Sequence, residues 1–266
     1  MAACYQYDGT LDGLLTLYAR LLPDRIAPEQ ISTNLPDQHP LFSSEIIITT
    51  DHVVAEAFWQ GLTRRLSPHS LKLVRRCLLA DHPQQELLLY RYLLLEAEQG
   101  RRIDQMLAHP HVAPVWKLSQ QVGREAHRYL GFVRFQQVQG ELYYAAIRPE
   151  HRILLLIGAH FAERFSDQQW LIHDKRHNEG ILYNAETKEW LLLPMELHQQ
   201  PEAAPQEEQF QLLWQHYFST LAIPERMNLK LQQGIVMVSP STGSEQALSN
   251  HDVMSIIYVH PSTSSG

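Results

Sequence analysis

The chain has 266 residues, 44% of them hydrophobic, and 22 Lys and Arg against 29 Asp and Glu give a formal net charge of −7. That apolar content supports a sizeable core, and no run approaches the roughly 20 apolar residues of a membrane-spanning helix, so no membrane partner is expected. With no basic-then-apolar leader in MAACYQYDGT a cytoplasmic location is expected, and two cysteines, Cys4 and Cys77, are too few for a disulfide framework or a thiolate zinc site.

The net charge hides a split. Counting Lys and Arg against Asp and Glu, residues 1–60 carry 2 against 8, residues 61–152 carry 14 against 8, and residues 153–266 carry 6 against 13. A basic middle in an acidic chain is either a nucleic-acid footprint or the internal partner of the acidic flanks.

In chain order, CYQY alternates as a short strand and DGT turns it into the apolar-periodic helix LDGLLTLYARLL. Asp8 and Thr10 are candidate caps, Gly9 permits tight backbone, and a helix start of this kind either is a plain cap or holds a phosphate. The β-branched EIIITT repeats the strand-then-helix pattern, leading through Asp51 into DHVVAEAFWQGLTRRL. Ser67 and Pro68 open a third helix with Leu71, Val74 and Leu78 on one face and Lys72, Arg75 and Arg76 away from it. HPQQELLLYRYLLLEAEQG is apolar around most of its circumference and predicts a buried central helix, in which Arg91 needs an internal carboxylate or a ligand phosphate as partner.

APVWKLSQQVGREAHRYL predicts a long helix with Val115, Leu118, Val122, Ala126 and Tyr129 on one stripe and Lys117, Gln121, Arg124 and Arg128 on another. GFVRFQQVQGELYYAAI reads as a hairpin reversing at Gln139 and Gly140. Pro149 is expected to open the helix PEHRILLLIGAHFAERF, and QQWLIHDKR and GILYNAETKEWLLL read as strands, the latter bending at Asn184 to Lys188. The proline- and glutamate-rich segment 194–208 predicts a flexible connector, QFQLLWQHYFSTLAIPERMNLKLQQ a last helix, and residues 234–266 a loosely ordered tail.

Between Ala159 and His177 three histidines, His160, His173 and His177, stand near Asp174, Arg164 and Arg176. Metal ligands must converge. His151 and His160, nine apart, point to opposite sides of one helix at about 100° per residue, and His173 and His177 lie in a strand-like run, so no metal site is expected and solvated histidines or an ion-pair network is preferred. Asp174, Arg176, Arg164 and Glu163 either brace one another or offer arginine forks to a phosphate. No nucleophile elbow, Walker motif, Rossmann glycine pattern or radical-SAM cysteine triplet is present, and no cofactor is expected.

Several separated pieces, YDGT, REAHRYLGFVRF, IRPEHRILLLIGAHFAERFSDQQWLIHDKRHNEGILYN and IPERMNLKLQ, together resemble one bacterial family of DNA-repair or DNA-metabolism proteins. Its members are encoded beside a radical-SAM DNA modification or repair protein, and the same domain is found fused in front of uracil-DNA glycosylase-like domains. The resemblance covers residues 4–233 and implies a DNA-related function with a radical-SAM partner; it implies no established mechanism. The residues matching its pattern are Tyr7, Asp8, Gly9, Arg134, Pro149, His151, His160, Phe161, Arg164, Trp170, Asp174, Arg176, Arg226 and Asn228. The chain departs from the family after Gln233, where GIVMVSPSTGSEQALSNHD replaces the usual proline, arginine and aromatic-rich ending.

The expected fold is α+β, a small, largely antiparallel sheet packed against several helices including a buried central one, with residues 1–233 as one domain. The expected function is binding of DNA or a damaged nucleotide: Lys117, Arg124, Arg128, Arg134, Arg164 and Arg176 contact phosphate, and Trp170 or Tyr183 stacks on a base. Two alternatives stand beside it. One is a nuclease or nucleoside hydrolase using His160 and Asp174, with or without a metal; the other is a partner-binding module docking through Trp214, Tyr217 and Phe218.

Overall fold

The structure is a computed structural model that describes residues 3–33, 44–138 and 142–195. Trp214, Tyr217, Phe218, Arg226 and Asn228, the segment 196–208, the last predicted helix, the tail and the Gln139–Gly140 reversal lie outside the described residues. The chain divides into two compact units, one ending at Gln121 and the other starting at Val122. The class is α+β, with six α-helices and two sheets among the described residues. No helix there is long and apolar enough to cross a membrane.

The first unit begins with β1 (Ala3–Gln6), α1 (Leu11–Leu21), β2 (Gln30–Ser32), β3 (Ser44–Ile47) and α2 (His52–Arg65). Its three strands run parallel in the order β2-β1-β3. This all-parallel sheet is an addition to the expected antiparallel one. Helix α1 carries the chain back between β1 and β2, as a parallel pair requires.

The YDGT stretch is a joint. Tyr7 is buried and its hydroxyl donates to Glu86 at 3.2 Å. Gly9 takes φ 77°, a left-handed value that favours glycine. The Asp8 carboxylate then accepts from the Thr10 amide at 2.9 Å, the Thr10 hydroxyl at 2.6 Å and the Thr50 hydroxyl at 2.6 Å, while Thr10 caps the Gly13 amide of α1. Burial alone would raise the Asp8 pKa, but these bonds and nearby His52 hold it below the ordinary value. The helix start that a phosphate would need is therefore occupied by the chain's own anion.

Next come α3 (Pro68–Leu78) and α4 (Gln85–Gln99). Ser67 caps the Ser70 amide with Pro68 in the first turn, as the sequence predicts. Arg75, expected on the outward face, is buried instead, and that burial lowers its pKa. In α4, Leu89, Tyr90, Tyr92, Leu93 and Leu95 are buried. Arg91 points outward and is exposed, so the apolar run does not enclose it.

Helix α5 (Ala113–Phe132) runs through the division between the units. The second unit continues with β4 (Gln136–Gln137), β5 (Leu142–Ile147), α6 (Leu154–Arg164), β6 (Gln169–Asp174), β7 (Glu179–Asn184) and β8 (Glu189–Pro194). The order is β4-β5-β6-β7-β8, antiparallel except for the parallel pair β5–β6, which α6 connects. The predicted bend at Asn184 to Lys188 is there: the Asn184 side chain accepts from the Glu186 and Thr187 amides, and Lys188 takes φ 61°. Leu171, Leu182, Leu193, Tyr144 and Met195 form one core cluster of the sheet.

A Cβ at Gly13 would lie 2.2 Å from Asp8 Oδ1 and 2.8 Å from Thr50 Oγ1, whereas one at Gly61 in α2 meets nothing within 4 Å. In urea unfolding, Gly13→Ala is therefore expected to cost roughly 1–3 kcal/mol by overpacking. Gly61→Ala is expected to gain up to about 1 kcal/mol from helix propensity. Equal effects at the two glycines would contradict the packing described for Asp8.

Candidate functional site

In a parallel strand pair the loops that follow the strands meet at their carboxyl ends, and open sheets place ligand sites there. For β5 and β6 these loops are residues 148–153 and 175–178, the RPEHRI and KRHN of the sequence. Ile147 pairs with Asp174 in register, and the Lys175 amide donates to the Ile147 carbonyl at 3.0 Å, bringing the two loops side by side.

Asp174 is fully buried. Its carboxylate accepts from the Arg176 amide at 2.9 Å and the His177 amide at 3.3 Å, and it pairs with His177 Nδ1 at 2.6 Å. A buried carboxylate is tolerated only when its lone pairs are filled. Asp174 thus holds the β6–β7 turn, with Asn178 in the left-handed region at φ 55° completing the reversal.

Opposite Asp174 in the antiparallel register stands Glu179, also buried, which pairs with Arg152 from the other loop. Burial pushes Glu179 up to about 7, Asp174 adds to the rise, and the Arg152 guanidinium opposes it. A third buried carboxylate, Glu125 of α5, accepts from the Glu150 amide at 2.6 Å and the His151 amide at 2.9 Å. These two bonds fix residues 150 and 151 outside the helix. This is why α6 starts at Leu154 and not at Pro149 as the sequence predicts. Tyr129, one turn beyond Glu125, makes a backbone hydrogen bond at Arg148, and its pKa is raised by burial and by Glu125 and Asp174.

Over these satisfied carboxylates lies a cationic surface. Arg128, Arg148 and Arg176 are exposed and Lys175 is half-buried; Arg124 and Lys117 are exposed further back along α5. Neither Arg128 nor Arg148 has an ion pair among the described residues. His173, beside Asp174 on β6, faces the Tyr144 hydroxyl at 2.9 Å through Nδ1, and burial lowers its pKa.

The remaining candidates lie elsewhere. Helix α6 leaves the carboxyl end and returns to the start of β6, so Arg164, the last residue of α6, leads into the end of the strand opposite Asp174, and β6 itself spans about 17 Å by strand rise. Arg164 is exposed and lies 5.8 Å from the Phe165 ring centre, so it neither braces Asp174 nor joins Arg176. His160 rests its ring edge-on to Phe161 at 5.2 Å. A hydrolytic pair of His160 and Asp174 is not assembled, because the Asp174 carboxylate is committed to its own turn.

Trp170, expected to stack on a base, is 1% exposed and stacks instead on the equally buried Tyr183, with ring centres 5.1 Å apart. Phe161, Phe165 and Phe135 close around it. The aromatic platform is core. Arg134 donates to the Gly131 carbonyl at 2.7 Å and the Val133 carbonyl at 3.2 Å, serving the end of α5. Among the described residues no group of three or more His, Cys, Asp or Glu side chains is arranged to hold a metal ion.

Glu125, Arg152 and Glu179 were not among the sequence candidates. Glu125 had a signal: it stands three residues after Val122 and four before Tyr129, a carboxylate inside an apolar stripe. Glu179 becomes visible only when the strand register sets it against Asp174.

Because the fold favours protonated Glu179, its contribution to stability is complete below about pH 4.5 and is lost as pH rises toward 7, where the unfolded chain has already released the proton. Chemical denaturation of Glu179→Gln is expected to show a flatter stability profile across that window than the parent chain. The difference is on the order of 3 kcal/mol at most. Parallel profiles would refute the buried carboxylate pair.

No curated protein and no solved structure matches the chain significantly. Residues 83–238, more than half of the sequence and including every described residue of the second unit, match the family of the domain of unknown function DUF4130. The chain belongs to the DUF4130 family.

Proposed function

We propose that this chain is a DNA-repair or DNA-metabolism protein that binds DNA or a damaged nucleotide through the carboxyl-end face of β5 and β6. The observation that carries the reading is the exposed pair Arg128 and Arg148, without ion pairs among the described residues, beside Arg176 and Lys175 and over carboxylates that are already satisfied. Exposed arginines freed from internal pairing are suited to phosphate oxygens, which dominate nucleic-acid affinity. Arg124 extends the same helix face at a spacing of four from Arg128.

The resemblance to proteins encoded beside a radical-SAM enzyme, and fused to uracil-DNA glycosylase-like domains, supports DNA as the polymer and a radical-SAM protein as the working partner. With Trp170 and Tyr183 buried, this face reads phosphate and strand shape and not bases.

Fluorescence anisotropy with single-stranded and uracil-containing duplex DNA at two salt concentrations tests the reading. Binding is expected at low salt and to weaken steeply with added salt. Arg128→Ala and Arg148→Ala are each expected to weaken binding to all sequences alike and to lower the salt slope by about 1. No binding at low salt, or variants indistinguishable from the parent, would overturn it.

A further inference from the structure

We propose that Arg152 is a further phosphate contact of the β5–β6 face, held in reserve by Glu179, and that a DNA strand bound there draws Arg152 outward and leaves a proton on Glu179. This rests on the DNA-binding reading of that face and adds its coupling to protons.

Arg152 stands in the loop 148–153, four residues after the exposed Arg148. The bond from the Lys175 amide to the Ile147 carbonyl sets this loop beside the one that carries Lys175 and Arg176. The Arg152 guanidinium donates to the Glu179 carboxylate, and the two side chains are 19% and 5% exposed, so the pair straddles the boundary between interior and surface. On the inner side Glu179 faces Asp174, its register partner on β6, whose carboxylate is already taken by the Arg176 and His177 amides and the His177 ring. On β8 the register partner of Glu179 is Pro194, which brings no charge. Helix α5 contributes Tyr129 and Glu125 at this end, with Glu125 spent on the 150 and 151 amides. His151, His173 and Lys175 complete the titratable neighbours on the loops and β6. Because Glu125 anchors the backbone just before Arg152, the long side chain can swing while the loop stays in place.

A buried ion pair gains little when desolvation offsets its attraction. Burial and Asp174 push Glu179 up to about 7 even with Arg152 beside it, and Arg152 supplies both influences that lower it, by charge and by hydrogen bond. Withdrawal of the guanidinium therefore raises the carboxyl further, and Glu179 takes up a proton instead of remaining an uncompensated buried anion. A phosphate offers Arg152 a bidentate partner in exchange. Binding and protonation are then linked, and linkage is reciprocal. DNA binds more tightly as pH falls toward 7 from above, and the dependence fades below that, where Glu179 holds its proton with or without DNA.

Isothermal titration of the full chain with a single-stranded oligonucleotide at low salt and about pH 7.5, in two buffers of different ionisation enthalpy, measures the proton taken up. Uptake approaching one proton is expected, with affinity rising by up to about tenfold per pH unit in that window. Glu179→Gln keeps the side-chain shape and an acceptor for Arg152, so the chain stays folded; it is expected to remove this uptake and to bind at pH 8 at least as tightly as the parent. Uptake by histidines persists in that variant and is thereby separated. Arg152→Ala is expected to lose the same uptake, to bind more weakly and to lower the salt slope by about 1. Equal uptake by the parent and Glu179→Gln, or an Arg152→Ala chain with the parent's salt slope, would overturn the proposal while leaving the DNA-binding face standing. Failure of the parent to bind at any pH would instead overturn the binding reading, and this coupling with it.

Discussion

The second unit depends on one buried carboxylate. Asp174 ends β6, and every lone pair it spends on the Arg176 amide, the His177 amide and the His177 ring shapes the turn that sends β7 back beside β6. If the side chain were apolar, two amides and an imidazole would be stranded away from water, a cost of about 1–3 kcal/mol each. The turn would reopen, and with it the register that sets Glu179 opposite Asp174 and brings Arg152 across from the neighbouring loop. The carboxyl-end face is thus built outward from Asp174, while Glu125 fixes the other loop from α5 in the same way, with an acid accepting two consecutive amides.

The two ends of β6 consequently have different characters. At the Asp174 end, buried acids hold loops and leave cations on the surface. At the Gln169 end, Trp170, Tyr183, Phe161, Phe165 and Phe135 close into an aromatic cluster, and the Tyr183 hydroxyl donates to the Ser166 carbonyl at 3.1 Å. The stretch from HFAERF to HDKRH spans both ends, so its histidines and arginines do not act as one constellation. Phe161 and Trp170 stabilise the unit, and Arg176 belongs to the surface of the other end.

What was legible in the sequence was local. Ser67 and Pro68 announce α3, Asp51 caps α2, and Asn184 bends the chain between β7 and β8, because each acts on backbone groups two or three residues away. The α+β class followed from the succession of these elements. What was not legible depends on partners distant in the chain. The parallel β2-β1-β3 sheet joins strands separated by helices and loops, and Arg75 is drawn inward by packing that helical periodicity does not encode. Trp170 was expected to stack on a base; the strand register places Tyr183 against it. In the candidate site, Asp174 and Arg176 were legible as residues, but their roles separated only once the turn was in view, with one buried as support and the other displayed.

The Trp170–Tyr183 stack has a spectroscopic side. An indole lying at 10° to a phenol, 5.1 Å away and almost wholly shielded from water, is an efficient acceptor of excitation from its neighbour and emits from an apolar environment. The two rings come from adjacent strands that must be in register to meet. The second unit therefore contains an intrinsic optical gauge of sheet closure, one that registers separation of β6 from β7 without any attached label.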